Sequence, residues 1–158
     1  MKKEIISFWF VLFLLNMSCS QKVTSQKSIE YSRNGKVSYV ASKGLLQSFN
    51  SQNFGSTTQD AAYFATVSAI ENLLYRGVAN SPSESPLVKN ELESKLAFEN
   101  KLNDLAFNLG PERFVTKSLI VDDESSSGGH LVTVEVEVDV KALRKYLEEN
   151  KIIKKFGL

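Results

Sequence analysis

His130-Leu131-Val132-Thr133-Val134-Glu135-Val136-Glu137-Val138-Asp139-Val140 is the stretch that decides the fold. Valine at every even position from 132 to 140 alternates with Thr133, Glu135, Glu137 and Asp139, the two-residue period of a strand whose side chains point to opposite faces. One face is therefore buried and the other meets water, as in an antiparallel sheet covered on one side. Because a one-residue slip would bury three carboxylates, the register of this strand is tightly fixed. Just before it, Phe114 to Val121 reads as a strand that pairs back across an Asp122 to Gly129 loop, which makes a hairpin.

Upstream of the hairpin the period changes from two to that of a helix. Thr58 to Arg76 carries Ala62, Ala65, Ala69 and Leu73 beside Val67, Ile70 and Leu74, so one broad apolar face is expected, with alanines small enough to let another layer approach closely. Thr57, with Asp60 three residues on, supplies an N-terminal cap, and Gly77 a stop. The prolines and serines of Val78 to Pro86 make a loop. Leu92, Leu96, Leu102, Leu105 and Leu109 predict a second helix over Val88 to Asn108 with a single inward seam, ended by Gly110-Pro111. A first strand at Lys36 to Val40 continues weakly toward Leu45, Leu46 and Phe49, and Gly44 and Gly55 leave its far end open. A last helix spans Lys141 to Asn150 with Leu143 and Leu147 inward. Ile152, Ile153 and Phe156 dock behind it with Lys151, Lys154 and Lys155 solvated; contact of this tail with lipid or a partner is the alternative. The order strand, helix, helix, strand, strand, helix predicts an α+β fold with helices packed on one face of a small antiparallel sheet.

The N-terminus is organised differently. Lys2 and Lys3 precede an apolar run from Ile5 to Leu15, broken only by Ser7, and small or polar residues follow. This is the layout of a secretory signal, and the run is too short for the roughly 20 residues of a membrane-spanning helix. Leu15-Asn16-Met17-Ser18-Cys19 resembles the lipobox of bacterial lipoproteins, in which a cysteine after a small residue is lipidated and becomes the new N-terminus. Ser18 and Cys19 match that pattern; Asn16 and Met17 depart from it, and Leu15 stands one place early. The resemblance implies a signal peptide over 1–18, lipidation of Cys19, and, with Ser20 rather than an aspartate next, an outer-membrane address. Ser18 and Ser20 also form a small-x-small cleavage site that would release a soluble protein without the cysteine. Cys19 is the only cysteine of the chain, so it cannot form an internal disulfide. Residues 19–34 read as the lipidated N-terminus and a polar, flexible tether, leaving 35–158 as a single α+β domain.

The alanines from Ala61 that lead into Leu73, Leu74 and Gly77, followed by a late hairpin, resemble a further group: the N-terminal domain of a flagellar assembly protein of the periplasm and the short outer-membrane lipoproteins related to it. That likeness covers roughly Lys36 to Asn150 and implies a helix-on-sheet α+β fold, in families that serve in envelope assembly or have no known activity. It carries over no catalytic or binding residue.

Charge excludes some partners. The formal net charge of +1 falls to zero once Lys2, Lys3 and Glu4 leave with the signal, so no long-range field draws the domain to nucleic acid. Catalytic groups are sparse. His130, the only histidine, sits beside Gly128-Gly129 as an exposed turn residue, and a serine or cysteine nucleophile would have it alone as base. Asp122-Asp123-Glu124 lacks the alternating ligand spacing of a calcium loop, and zinc would lack the usual cysteines and histidines. Glu135, Glu137 and Asp139 read as a solvated outer face that discourages edge aggregation, the alternative being paired carboxylates for glycoside hydrolysis. Ser125 to Gly129 follows a strand and opens no helix, so it is a turn and no phosphate loop. The expectation is a non-enzymatic interaction or assembly module of the cell envelope, held to the membrane through lipid on Cys19, with no cofactor, no metal and an envelope protein as partner. The alternative is a secreted or periplasmic ligand-binding protein or hydrolase whose site forms only by tertiary convergence.

Overall fold

The computed structural model describes residues 29–94 and 110–155. Within them the chain runs β1 (Lys36–Lys43), β2 (Leu46–Gly55), α1 (Thr58–Tyr75), α2 (Gly110–Phe114), β3 (Val115–Ser126), β4 (Gly129–Asp139) and α3 (Val140–Glu149). The strands form one antiparallel sheet in the order β1-β2-β4-β3, and the fold is the α+β arrangement the sequence predicts. Cys19 and the stretch before it lie outside the described residues, as do Leu96, Leu102, Leu105, Leu109 and Phe156.

One expected strand is in fact two. Lys43 pairs with Leu46 across a two-residue turn whose first residue, Gly44, has φ of 64°; glycine followed by an ordinary residue is the signature of a tight hairpin turn of this kind. The second strand is hard to read from sequence because its inward face is Gln47, Phe49, Ser51, Asn53 and Gly55, all buried. With polar residues inside, no hydrophobic alternation appears. Two of those polar groups are satisfied by the helix above: the Ser51 hydroxyl donates to the Ala65 carbonyl at 2.6 Å, and the Asn53 amide to the Ser68 hydroxyl at 2.7 Å.

The late hairpin forms, but with a longer first strand and a shorter loop. β3 runs on through Asp122, Asp123 and Glu124 to Ser126, and only Ser127 and Gly128 turn the chain into β4. Phe114 belongs to the short helix α2, so Gly110-Pro111 opens a helical turn instead of leading straight into a strand; a proline needs no N–H partner there. Val140 starts α3.

The core lies between the sheet and α1. Val132, Val134, Val136 and Val138 are fully buried with Phe49, against Ala61, Ala65, Ala69, Ile70, Leu73 and Leu74, and Leu143 and Leu147 of α3 complete the cluster. Close approach is built in at Gly55, where a Cβ would collide with the backbone of Ala61. Thr57 caps α1 by accepting from the Asp60 N–H at 3.1 Å. Burial around α1 exceeds a single face, since every residue from Ala65 to Glu71 is buried.

Two expectations are corrected here. Residues 29–34, read as tether, are docked on the domain: Tyr31 packs its ring on Phe64, and the Ser32 carbonyl accepts from Asn53 at 2.9 Å. Described structure thus begins by Ile29, before Gly35. Leu92, expected on an inward seam, is 72% exposed; helical residues begin at 91, behind Asn90, whose side chain accepts from the Glu93 N–H at 3.2 Å. The tail docks through Ile152 and Ile153, with Lys151, Lys154 and Lys155 exposed.

Candidate interaction site on the outer strand

β3 is the edge of the sheet, and among the described residues nothing pairs with its outer side. Its centre is Leu119-Ile120-Val121, exposed by 51%, 44% and 48%. Three consecutive large apolar residues in a strand cannot all face one core, because the side chains alternate, and an irregularity adds to the effect. Thr116 and Val121 are each skipped in the pairing with β4, so each is a bulge residue, left without a partner on the neighbouring strand. The bulges set which residues share a face. Lys117, Leu119, Asp122 and Glu124 lie opposite Glu137, Glu135, Thr133 and Leu131 on the outer face, whereas Ser118, Ile120 and Asp123 lie opposite Val136, Val134 and Val132 on the side of α1.

Charge is ordered along this edge: Lys117 precedes the apolar centre and Asp122, Asp123 and Glu124 follow it. The Lys117 ammonium donates to Glu135 at 2.8 Å, a bond that raises its pKa above the ordinary lysine value. Thr116 donates to Glu137. Asp139 has a different task from its strand neighbours: its carboxylate caps α3 by accepting from the Ala142 N–H at 2.8 Å.

His130 is not an isolated turn residue. Its Nδ1 lies 2.9 Å from Asp123 and 3.2 Å from the hydroxyl of Thr58, which also donates to Asp123 at 2.7 Å. Hydrogen bonds from His130 and Thr58 hold the Asp123 carboxyl below its ordinary pKa. The sequence places these three apart, on a loop, a turn and a helix start, and the longer β3 brings them together. Their geometry is that of a structural latch. In a hydrolytic triad the carboxylate orients the ring through Nδ1–H while Nε2, on the other side, takes the nucleophile's proton; here the carboxylate and the hydroxyl both engage Nδ1. The latch ties the hairpin end to the first turn of α1.

A second polar cluster closes the opposite side of α1. Glu71, only 7% exposed, accepts from the Tyr31 hydroxyl at 2.7 Å and from Arg33 Nε at 3.1 Å, while Arg33 also reaches Glu91 at 2.8 Å. Burial, together with the Glu71 carboxylate, pushes the Tyr31 hydroxyl well above the ordinary tyrosine value, and burial pushes Tyr75 up to about 12. This cluster fastens residues 31–33 to the helix. Among the described residues no group of three or more histidine, cysteine or acidic side chains is placed to hold a metal ion.

The sequence reading singles out Cys19, which lies outside the described residues, and passes over Lys117 and Leu119 to Val121. The signal for the latter was present in the run Leu119-Ile120-Val121, too long an apolar sequence for one face of a strand. No protein-family model matches the chain, no curated protein matches it, and no solved structure does.

Proposed function

We propose that this chain is a membrane-anchored envelope lipoprotein, held by lipid on Cys19, whose folded domain is a non-enzymatic module that docks a partner by strand addition along β3. The observation that carries the docking reading is the open edge with Leu119, Ile120 and Val121 exposed at its centre. Strand addition suits such an edge because main-chain hydrogen bonds supply affinity and alternate side chains supply selectivity. The lipobox-like Leu15 to Cys19 supports the anchoring half of the reading.

Two experiments test the halves separately. For the anchor, the intact mass of the mature chain from native membranes is compared with that of Cys19→Ala. A chain beginning at Cys19 with added acyl mass, lost in the variant, is expected; a soluble chain beginning after Cys19 would remove the anchor. For docking, a photo-crosslinking residue is placed at Leu119 or, as control, at Ser48 on the outer face of β2. Covalent adducts at position 119 and none at 48 are expected in intact envelopes, and equal adducts at both sites would dismiss β3 as the docking strand.

A further inference from the structure

On the reading that β3 is the docking strand, we propose that its occupant is a second copy of this chain, added antiparallel about a two-fold axis at Leu119. The edge is complementary to its own reverse. Lys117 stands on one side of the apolar centre and Asp122, Asp123 and Glu124 on the other, so a reversed copy brings base to acid at both ends.

The pairing with β4 then fixes the register. Residues facing each other across an antiparallel pair must share a face of the sheet. On β3 the outer-face residues are Lys117, Leu119, Asp122 and Glu124, with Val121 skipped as a bulge. Setting Leu119 opposite Leu119 of the second copy places Ser118 opposite Ile120 on the helix side and, with each Val121 still bulged, Lys117 opposite Asp122 on the outer face. The bulge is what makes this self-pairing consistent: without it Lys117 would meet Val121. Lys117 has three donors, so its bond to Glu135 leaves others for Asp122 of the second copy. The other edge lacks this property. β1 carries Lys36 and Lys43 at its two ends, and a reversed copy of it would set lysine against lysine.

Sedimentation of the full chain over a range of concentrations tests the proposal. The wild type associates to a dimer. Lys117→Glu and Asp122→Lys each set like charges together at both ends, and each weakens dimerisation by about tenfold. Mixing the two variants in equal amounts restores it, because in the mixed dimer one pair is the new glutamate against the new lysine and the other is Lys117 against Asp122. Both positions are exposed, and circular dichroism checks that each variant is folded. A second measurement uses Leu119→Cys in a Cys19→Ala background, where the axis at position 119 makes a disulfide-linked dimer form on oxidation, while Glu124→Cys does not give one. A wild type that sediments as a monomer at every concentration, or a mixture that associates no better than its components, overturns self-pairing. If adducts to another protein still form at position 119 in that case, only the identity of the occupant is wrong; if those are missing too, the docking strand falls with it.

Discussion

Replacing Tyr31 with phenylalanine tests whether residues 29–34 belong to the domain. The ring stays on Phe64, and what is lost is the hydroxyl that donates to Glu71 at 2.7 Å and touches Ser68 at 3.3 Å. A hydrogen bond to a charged group contributes about 1.5–3 kcal/mol. Since Arg33 still serves the same carboxylate oxygen, the low end applies, about 1.5 kcal/mol. The assay is urea unfolding followed by far-ultraviolet circular dichroism, because the single tryptophan, Trp9, lies outside the described residues. Glu71→Gln and the double variant complete a cycle, in which a coupling near 1 kcal/mol is expected for two groups in direct contact. Alkaline titration gives a second readout. A folded-state pKa raised above the ordinary 10.0 means that Tyr31 adds stability fully present below that value and lost as pH rises from it through the folded-state pKa. Tyr75 contributes to the same limb, so the difference between wild type and Tyr31→Phe isolates Tyr31. Unchanged stability in Tyr31→Phe, or two substitutions that add within about 0.3 kcal/mol, would refute the docked segment and return residues 29–34 to the tether.

Three shorter tests follow. Lys151 has φ of 61° at the end of α3, where its N–H and that of Ile152 satisfy the carbonyls of Glu148 and Leu147; this position suits glycine, so Lys151→Gly should raise the unfolding free energy by about 0.5–1 kcal/mol. Asp123→Asn should flatten the acid limb of the stability profile: a carboxyl held below its ordinary 3.8 contributes above that value and loses the contribution as pH falls through its folded-state pKa, so an unchanged acid limb would count against the latch. Phe49→Ala, at a fully buried ring in the middle of the sheet, should cost about 3–5 kcal/mol in urea unfolding, whereas Leu92→Ala at an exposed site should stay within about 0.5 kcal/mol.

What the sequence made legible depended on whether burial and polarity agreed. In β4 they do: every inward residue from Val132 to Val138 is a valine, and the strand could be read residue by residue. In β2 they disagree, because Gln47, Ser51 and Asn53 are buried and hydrogen-bonding to α1 or the N-terminal segment replaces hydrophobicity for two of them. The Gln47 carbonyl oxygen is buried without a partner, and the structure offers no physical account of it. The sequence pattern of β3 stops at Val121 because a bulge breaks its period there and three acidic residues follow, which resembles a loop. That shortening also hid the latch, since His130 meets Asp123 only when the strand continues. Residues 29–34 looked like tether because no hydrophobic pattern marks a segment fastened by Tyr31, Arg33 and a buried glutamate. Of the candidate site, Glu135 and Glu137 were legible as an outer face, but β4 is paired on both sides and they guard no edge of their own; the edge strand β3, whose Lys117 and Thr116 they engage, was not legible.

The two edges of the sheet also decide how far association can proceed. An uncovered strand edge threatens open-ended growth, and proteins commonly guard it with charge and bulges. β3 carries both, but its charges are unequal in effect. Parallel, in-register stacking sets Lys117 on Lys117 and Asp122 on Asp122, which like-charge repulsion opposes; antiparallel pairing joins opposite charges. Once two copies pair through β3, the free edges of the joined sheet are the two β1 strands, each with lysines at its ends and a bulge at Val40. A two-fold contact uses the same patch on both partners and is therefore closed. Self-pairing at β3 would accordingly end at the dimer, and the same charge pattern that selects the antiparallel partner denies the edge to a fibre.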